Sequence, residues 1–261
     1  MLILLGYVFA LCTGLILGLI GGGGAVLTIP ILIYIFHVPV ILASAYALCI
    51  AAITAGLGFW RYRHQVQYKQ GVYFVIPSLI GVYTVRRYVL SILPDPLCSY
   101  ADWTLPLDKG LLLLLGFWML LAAYTLLKSP KIHLTPAAHP HPLYLGGVGL
   151  GVGFLSGLIG IGGGILIVPA LTGLVRMDIK KAIPTSLMII TIQSSAGVLG
   201  DLQHSRLFDL SLLLLFSGCS LTGMLIGTHL SPRMSGPKLK KIFGLCLIGV
   251  VGLMATLESL K

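Results

Sequence analysis

Charged side chains are scarce in this sequence: only 9% of its 261 residues are charged, and only seven of them are Asp or Glu. A soluble domain carries about 25% charged residues, so the composition excludes a protein whose whole surface faces water. Hydrophobic residues make up 57% of the chain, and its mean hydropathy is +1.02. The sequence therefore predicts an all-α integral membrane protein that lies in a lipid bilayer.

Several kinds of site are also missing. The five cysteines show no paired metal-ligand spacing, so neither a metal nor a cofactor is predicted. The net charge of +10 does not predict nucleic-acid binding, because the basic residues lie at the ends of apolar segments. No array of Asp, Glu or His indicates a proton relay, and Asp201 and Asp209 are expected in an outer loop. A cleaved signal peptide is not expected, since no Lys or Arg precedes the first apolar segment.

Ten apolar segments fill most of the chain. They cover approximately residues 3–20, 25–37, 40–60, 70–93, 110–127, 143–160, 164–175, 180–200, 208–230 and 240–258. A full crossing must span about 30 Å of hydrocarbon, and the second and seventh segments are short for it. Two arrangements therefore stay open, either ten full crossings or six crossings with two re-entrant hairpins. Residues 94–109, with three prolines and three aspartates, are expected to form an external loop.

A glycine-rich segment occurs twice. Residues 19–30 read LIGGGGAVLTIP, and residues 158–169 read LIGIGGGILIVP, 139 positions later. Further identities at the same offset pair Gly14 with Gly153, Gly18 with Gly157, Ala43 with Ala182, Leu48 with Leu187 and Gly58 with Gly197. Many secondary transporters build their binding site from such repeated, broken segments near the bilayer midplane. We predict two repeats, residues 1–128 and 143–261, joined by a proline-rich cytoplasmic linker at 129–142.

The basic residues predict how the repeats cross the membrane. Lys and Arg near span ends favour the cytoplasm. If Arg61, Arg63 and Lys69 lie inside, alternation places 12 of the 17 basic residues inside and both termini outside. Five apolar segments precede the second repeat. Because this number is odd, the second repeat enters the membrane from the side opposite to the first, and the two repeats are inverted. The predicted fold is therefore two inverted repeats in the inner (plasma) membrane, each with a glycine-broken short helix pair plus three longer transmembrane helices.

The glycine runs indicate an anion site. Glycine permits a sharp turn and a close approach to the backbone. A helix that begins after such a run has unpaired N–H groups and a partial positive charge at its start, where an anion can bind. The candidate residues are Gly22, Gly23, Gly24, Gly162, Gly163 and Gly164. The Gly14-xxx-Gly18 and Gly153-xxx-Gly157 patterns are instead typical of close helix packing.

Polar side chains add further candidates. Six follow the second glycine run on one apolar segment, namely Thr185, Ser186, Thr191, Gln193, Ser194 and Ser195. Their counterparts in the first half are largely apolar, so the site is expected to be asymmetric. Ser and Thr in membrane helices often bond their own backbone, whereas Gln193 lacks that option. Arg86 either extends to the lipid headgroups or belongs to a vestibule that attracts anions.

At these residues the sequence resembles the TauE/SafE family of membrane permeases. The resemblance rests on Gly-Gly-Gly-Gly-x5-Pro in the first half, Gly-x-Gly-Gly-Gly-x4-Pro in the second, and residues 182–187, Ala-Ile-Pro-Thr-Ser-Leu. The first half lacks the Thr-Ser of that last segment, at residues 43–48. The family implies transport of sulfite and organosulfur anions, with a small anion as the partner of the protein.

We therefore predict a secondary transporter, not an enzyme, that moves a small sulfur-containing anion such as sulfite or sulfoacetate by alternating access. A passive anion channel built from the same opposed half-helices is the alternative. An intramembrane serine protease using Ser156 with His204 or His229 is disfavoured, because Ser156 lies in a packing-type glycine pattern. The identity of the anion, the direction of transport, the coupling ion and the existence of a homo-oligomer are left open.

Overall fold

The computed structural model describes residues 2–22, 24–94, 98–100, 103–128, 142–202, 209–231 and 236–259. Its helices follow the ten predicted apolar segments one by one. The first half contains α1 (Leu2–Ile20), α2 (Gly24–Tyr34), α3 (Val40–Tyr62), α4 (Tyr68–Thr84), α5 (Leu90–Ile92) and α6 (Leu107–Lys128). The second half contains α7 (Pro142–Ile159), α8 (Gly164–Pro169), α9 (Ile179–Leu202), α10 (Leu210–Leu230) and α11 (Gly236–Ser259). The all-α prediction is confirmed.

Two of these helices continue through π-helical turns. Val85–Val89 joins α4 to α5, so that the helical path runs from residue 68 to residue 92. Ala170–Leu174 extends α8 directly after Pro169, whose ring removes a backbone donor from the helix. Single π-helical turns inside α-helices often lie at functional sites.

The predicted external loop at 94–109 contains a small hairpin that the sequence did not indicate. Strands β1 (Cys98–Tyr100) and β2 (Trp103–Leu105) pair antiparallel, with Cys98 opposite Leu105. Helix α6 then begins at Leu107, before the predicted start of its apolar segment. A three-residue strand is too short to show the alternating pattern by which strands are recognised in a sequence.

The helices are apolar on their outer as well as their inner faces. Large hydrophobic side chains such as Leu4, Leu113 and Leu214 are exposed, each by more than 60%. A helix of this kind suits lipid, because its backbone N–H and C=O groups are satisfied within the segment. Among the described helices, α1, α3, α6, α7, α9 and α10 are long and apolar enough to cross a membrane.

Glycines bring the two halves into close contact. Gly14 lies against Ser220 of α10, and a Cβ on Gly18 would be 2.9 Å from the backbone nitrogen of Thr228. A Cβ on Gly153 would similarly be 2.7 Å from the Cα of Ser78 on α4. These are the predicted packing patterns, and the structure confirms that role. Helix α1 runs parallel to α10, and its equivalent α7 runs parallel to α4.

Helices α3 and α9 cross at the centre of the bundle. A Cβ on Gly58 would be 3.1 Å from Leu187, and one on Gly197 would be 2.9 Å from Leu48. Gly58 corresponds to Gly197 and Leu48 to Leu187 at the repeat offset of 139 positions, so the two contacts are equivalent. The earlier residue of α3, Leu48, contacts the later residue of α9, Gly197, and the later residue Gly58 contacts the earlier residue Leu187. The two helices are therefore antiparallel. Antiparallel packing of equivalent helices supports the predicted inverted arrangement.

Candidate functional site

The two glycine breaks meet between α3 and α9. Gly22 contacts the backbone of Gly164, and a Cβ on Gly22 would be 2.9 Å from Val168. Four glycines in these breaks have left-handed φ angles: +73° at Gly21, +79° at Gly160, +61° at Gly162 and +74° at Gly163. Residues with a side chain rarely adopt such angles, so the sharp turns depend on glycine. Gly23, a candidate from the sequence, lies outside the described residues.

Gln193 and Ser194 line the second break. A Cβ on Gly163 would be 2.8 Å from Oε1 of Gln193, and Gly162 lies directly against Oγ of Ser194. Both side chains are completely buried. In the described part of the chain, neither Oε1 and Nε2 of Gln193 nor Oγ of Ser194 has a hydrogen-bond partner. A buried polar group without a partner costs about 1–3 kcal/mol, and a bound ligand or water would remove that cost.

The other glycine candidates have packing contacts. A Cβ on Gly24 would be 2.8 Å from Cβ of Leu17 on α1, so the start of α2 is held against that helix. Gly164 begins α8, and its carbonyl carbon would be 3.2 Å from a Cβ on Gly22. The structure therefore brings the two breaks together, and the buried polar side chains without hydrogen-bond partners among the described residues, Gln193 and Ser194, lie against the second one.

Thr185 and Ser186, also predicted as anion ligands, have backbone partners in this structure. The backbone N–H of Gln67 donates to the Thr185 hydroxyl at 3.1 Å, which donates in turn to the carbonyl of Lys181 at 2.7 Å. The Ser186 hydroxyl donates to the carbonyl oxygens of Gly21 and Ile183. Thr185 thus fixes the start of α4, and Ser186 holds the first glycine break.

Ser195 does not belong with Gln193 and Ser194. It is exposed, and its hydroxyl donates to the carbonyl of Thr191 at 2.8 Å. Successive helical residues are rotated by about 100°, because one turn takes 3.6 residues. A residue two positions after Gln193 therefore faces the other way. The predicted donor-rich patch is reduced to its first two members.

Arg86 lies in the π-helical turn and is only 1% exposed. Its Nη1 donates to Oδ2 of Asp201 at 3.0 Å, and its Nη2 donates to Oγ of Ser44 at 3.0 Å. The guanidinium also lies directly against Gly160, the first glycine of the second break. The sequence had indicated that Arg86 extends to the headgroups or belongs to an open vestibule. In this structure it does neither, because its side chain is buried against Asp201 and Ser44.

Asp201 was predicted to lie in an outer loop, and this prediction is wrong. It lies in the last turn of α9 and is 1% exposed. The ion pair with Arg86 connects the two halves, and ion pairing is the usual condition under which a charged side chain is buried. A sequence signal existed, because Asp201 directly follows an apolar segment and the chain has few other acidic residues.

The positions equivalent to this ion pair in the other half carry no charged side chain. At the offset of the repeat, Arg86 corresponds to Leu225, Asp201 to Tyr62 and Ser44 to Ile183. Leu225 is 42% exposed, and the Tyr62 hydroxyl donates to the carbonyl of Thr228 at 2.7 Å. The charged contact therefore marks one end of the bundle, where α3 begins and α9 ends. We call it the Asp201 end.

A separate groove of about 470 Å³ lies between α6, α7 and α8, away from the glycine breaks. Its lining is mainly apolar and includes Trp118, Leu155 and Leu166. The hydroxyls of Thr125 and Thr172, which also line it, donate to carbonyls of their own helices. The groove therefore offers little to an anion and is suited to the hydrocarbon of the membrane.

The sequence matches the family described as "Sulfite exporter TauE/SafE" over residues 7–254, almost the whole chain. The chain belongs to the TauE/SafE family. It is 32% identical over 258 residues to a "Probable membrane transporter protein" of Xylella fastidiosa, with 91% of this chain and 88% of the relative covered. It is 26% identical over 273 residues to "Probable membrane transporter protein YunE" of Bacillus subtilis, with 92% and 93% covered. No solved structure matches the chain.

These similarities confirm the family predicted from the glycine motifs. The TauE/SafE chain is a multi-pass membrane protein, with six described helices able to span a membrane, and it is a membrane transporter. The names of the family and its relatives describe transport and not an enzymatic reaction.

Proposed function

We propose that the protein is a secondary transporter of a small sulfur-containing anion, such as sulfite or a related organosulfonate, in the inner (plasma) membrane. The anion would bind at the second glycine break, against Gly162, Gly163, Gln193 and Ser194. The observation that carries this proposal is the pair of buried side chains, Gln193 and Ser194, whose polar atoms face the break without partners among the described residues. Gln193 Nε2 and Ser194 Oγ can both donate to an oxyanion.

The proposed site needs no charged side chain beside the anion. A helix start presents N–H groups and a partial positive charge, and helical structure follows both breaks, over 24–34 and 164–174. A bare ionised side chain at the centre of a membrane costs at least about 2.5–3.5 kcal/mol. Backbone and amide donors avoid this cost when the site is empty, and they still compensate an anion when it binds.

Burial of the site supports a carrier over an open channel. Gln193 and Ser194 are completely buried, and the ion pair of Arg86 with Asp201, at the Asp201 end, is buried as well. In a transporter made of inverted repeats, exchanging the conformations of the two halves opens the site to the opposite side. The antiparallel packing of α3 on α9 supports such an exchange, because an axis in the membrane plane reverses equivalent helices.

The function can be tested in proteoliposomes loaded with the purified protein. We expect sulfite flux to saturate with concentration, because each transport cycle binds and releases the anion at one site. Sulfate, thiosulfate and sulfoacetate, added in turn as competitors, would define the substrate. Flux that stays linear up to high concentrations would indicate the passive channel instead. Absence of both binding and flux for all four anions would contradict the proposed substrate class.

A second test concerns orientation in the membrane. We propose that both termini lie outside, since this places 12 of the 17 basic residues inside. Single cysteines at Lys131 and Lys238, in a variant lacking the native cysteines, should react with an impermeant maleimide only after the cytoplasmic side is exposed. A cysteine at Lys109 is the matched control and should react from outside. Labelling of both Lys131 and Lys238 positions in intact spheroplasts would contradict this topology.

A further inference from the structure

We propose a second anion subsite at Arg86, where the carboxylate of Asp201 holds the guanidinium until the substrate anion displaces it. The inference rests on the proposed function and adds an entry site, at the Asp201 end, to the central site at Gln193 and Ser194. The ligand class is a small oxyanion. Asp201 then acts as an internal competitor, and its role is distinct from that of a static structural ion pair.

The position of the ion pair supports this role. The guanidinium of Arg86 lies against Gly160, where the second break begins, and the proposed central site lies at Gly162 and Gly163 of the same break. Along α9, Asp201 follows Ser194 by seven residues, about 10 Å at a rise of 1.5 Å per residue. An anion that enters from the Asp201 end therefore has to pass the ion pair before it reaches the central site.

The chemistry at Arg86 suits an oxyanion. A guanidinium presents two parallel N–H groups that match two oxygens of a planar or tetrahedral anion, as they match a carboxylate. In the structure these groups contact the Asp201 carboxylate and the Ser44 hydroxyl. The sulfite dianion carries more charge than the carboxylate that it would replace. When this end opens, water can hydrate Asp201, so the exchange does not leave a bare carboxylate in a dry interior.

Among the described residues, few other ionisable groups lie near the pair. Cys49 of α3 is close enough to interact electrostatically with both Asp201 and Arg86. Arg87 follows Arg86, and its backbone nitrogen would be 3.8 Å from a Cβ on Gly200. The equivalent region of the other half contains Leu225, Tyr62 and Ile183. The entry subsite therefore belongs to one end of the bundle, and the path at the opposite end has no such charged step among the described residues.

The decisive variant is Asp201→Asn, which removes the internal competitor but keeps its shape. We expect sulfite to bind at least about tenfold tighter, as for a gained hydrogen bond to a charged group, and to leave more slowly. The measurement is calorimetric binding of sulfite to the purified protein in nanodiscs at mildly alkaline pH, with stopped-flow release. A purely structural ion pair predicts the opposite direction, because its loss loosens the site. Unchanged or weaker binding by monodisperse Asp201→Asn would overturn the proposal.

The neutral variant Arg86→Met/Asp201→Asn is the matched control. It differs from Asp201→Asn only at Arg86, and we expect its affinity for sulfite to fall back by at least about tenfold. If Asp201→Asn cannot be purified, the double variant is compared directly with the wild-type protein. A double variant that binds and releases sulfite as the wild type does would overturn the subsite. Gln193→Leu separates the two proposals: tighter binding by Asp201→Asn together with no effect of Gln193→Leu keeps the Arg86 subsite and rejects the central site.

Discussion

Gly162→Val is expected to reduce sulfite binding by roughly a hundredfold or more, about 2.8 kcal/mol. Gly162 has a φ angle of +61°, which a β-branched residue adopts only with strain. A Cβ at this position would also collide with Oγ of Ser194. The valine would therefore displace one proposed donor and block the close approach of the anion to the backbone. Calorimetric titration of sulfite into the purified variant measures the loss.

Gly147→Val is the matched control for this substitution. Gly147 lies in the exposed part of α7, and no atom lies within 4 Å of a Cβ placed on it. We expect this variant to keep wild-type affinity and to elute as the same monodisperse species. If Gly162→Val is equally monodisperse and binds sulfite as tightly as the wild type, the anion does not bind at the second glycine break.

The sequence was a good guide to the helices and a weaker one to the site. Composition and the repeat predicted all ten apolar segments, because lipid requires long helices with internally paired backbones. The glycine runs predicted the sharp breaks, since left-handed φ angles at Gly21 and Gly160 depend on glycine. The orientation of the repeats and the position of Gly23 in a site stay predictions.

Side-chain partners across the two halves could not be predicted in the same way. The Thr185 hydroxyl accepts a hydrogen bond from Gln67, which is 118 residues away in the chain. At the equivalent position of the first half, the Tyr46 hydroxyl accepts one from the backbone N–H of Asp209. Each hydroxyl thus holds the start of a helix in the opposite half. These roles appear only once the halves are packed together.

Helical periodicity, by contrast, could have separated Ser195 from its neighbours. Gln193 and Ser195 are two residues apart and therefore about 200° apart around the helix axis. The structure accordingly buries Gln193 and exposes Ser195. The same argument keeps Thr54, which corresponds to Gln193 in the first half, on the buried face of α3.

Gln193→Leu is expected to weaken sulfite binding about tenfold or more, because each hydrogen bond to a charged group contributes roughly 1.5–3 kcal/mol. Leucine has a similar size to glutamine and removes both polar atoms, so the buried packing against Gly163 is kept. The folded protein without ligand should become no less stable, since Gln193 has no hydrogen-bond partner among the described residues. A thermal midpoint that is unchanged or raised without sulfite, together with a weaker calorimetric affinity, is the expected result.

Thr54→Val is the matched substitution in the first half and should weaken binding far less. The Thr54 hydroxyl already donates to the carbonyl of Ile50 at 2.6 Å, so it has no proton to offer an anion. Valine keeps the branched shape of threonine and loses only this local hydrogen bond. The recognition site is therefore expected to be asymmetric, with its side-chain donors on α9 and the repeat symmetry limited to the backbone. If Thr54→Val proves more damaging than Gln193→Leu, the first half carries the recognition, and the asymmetric site is wrong.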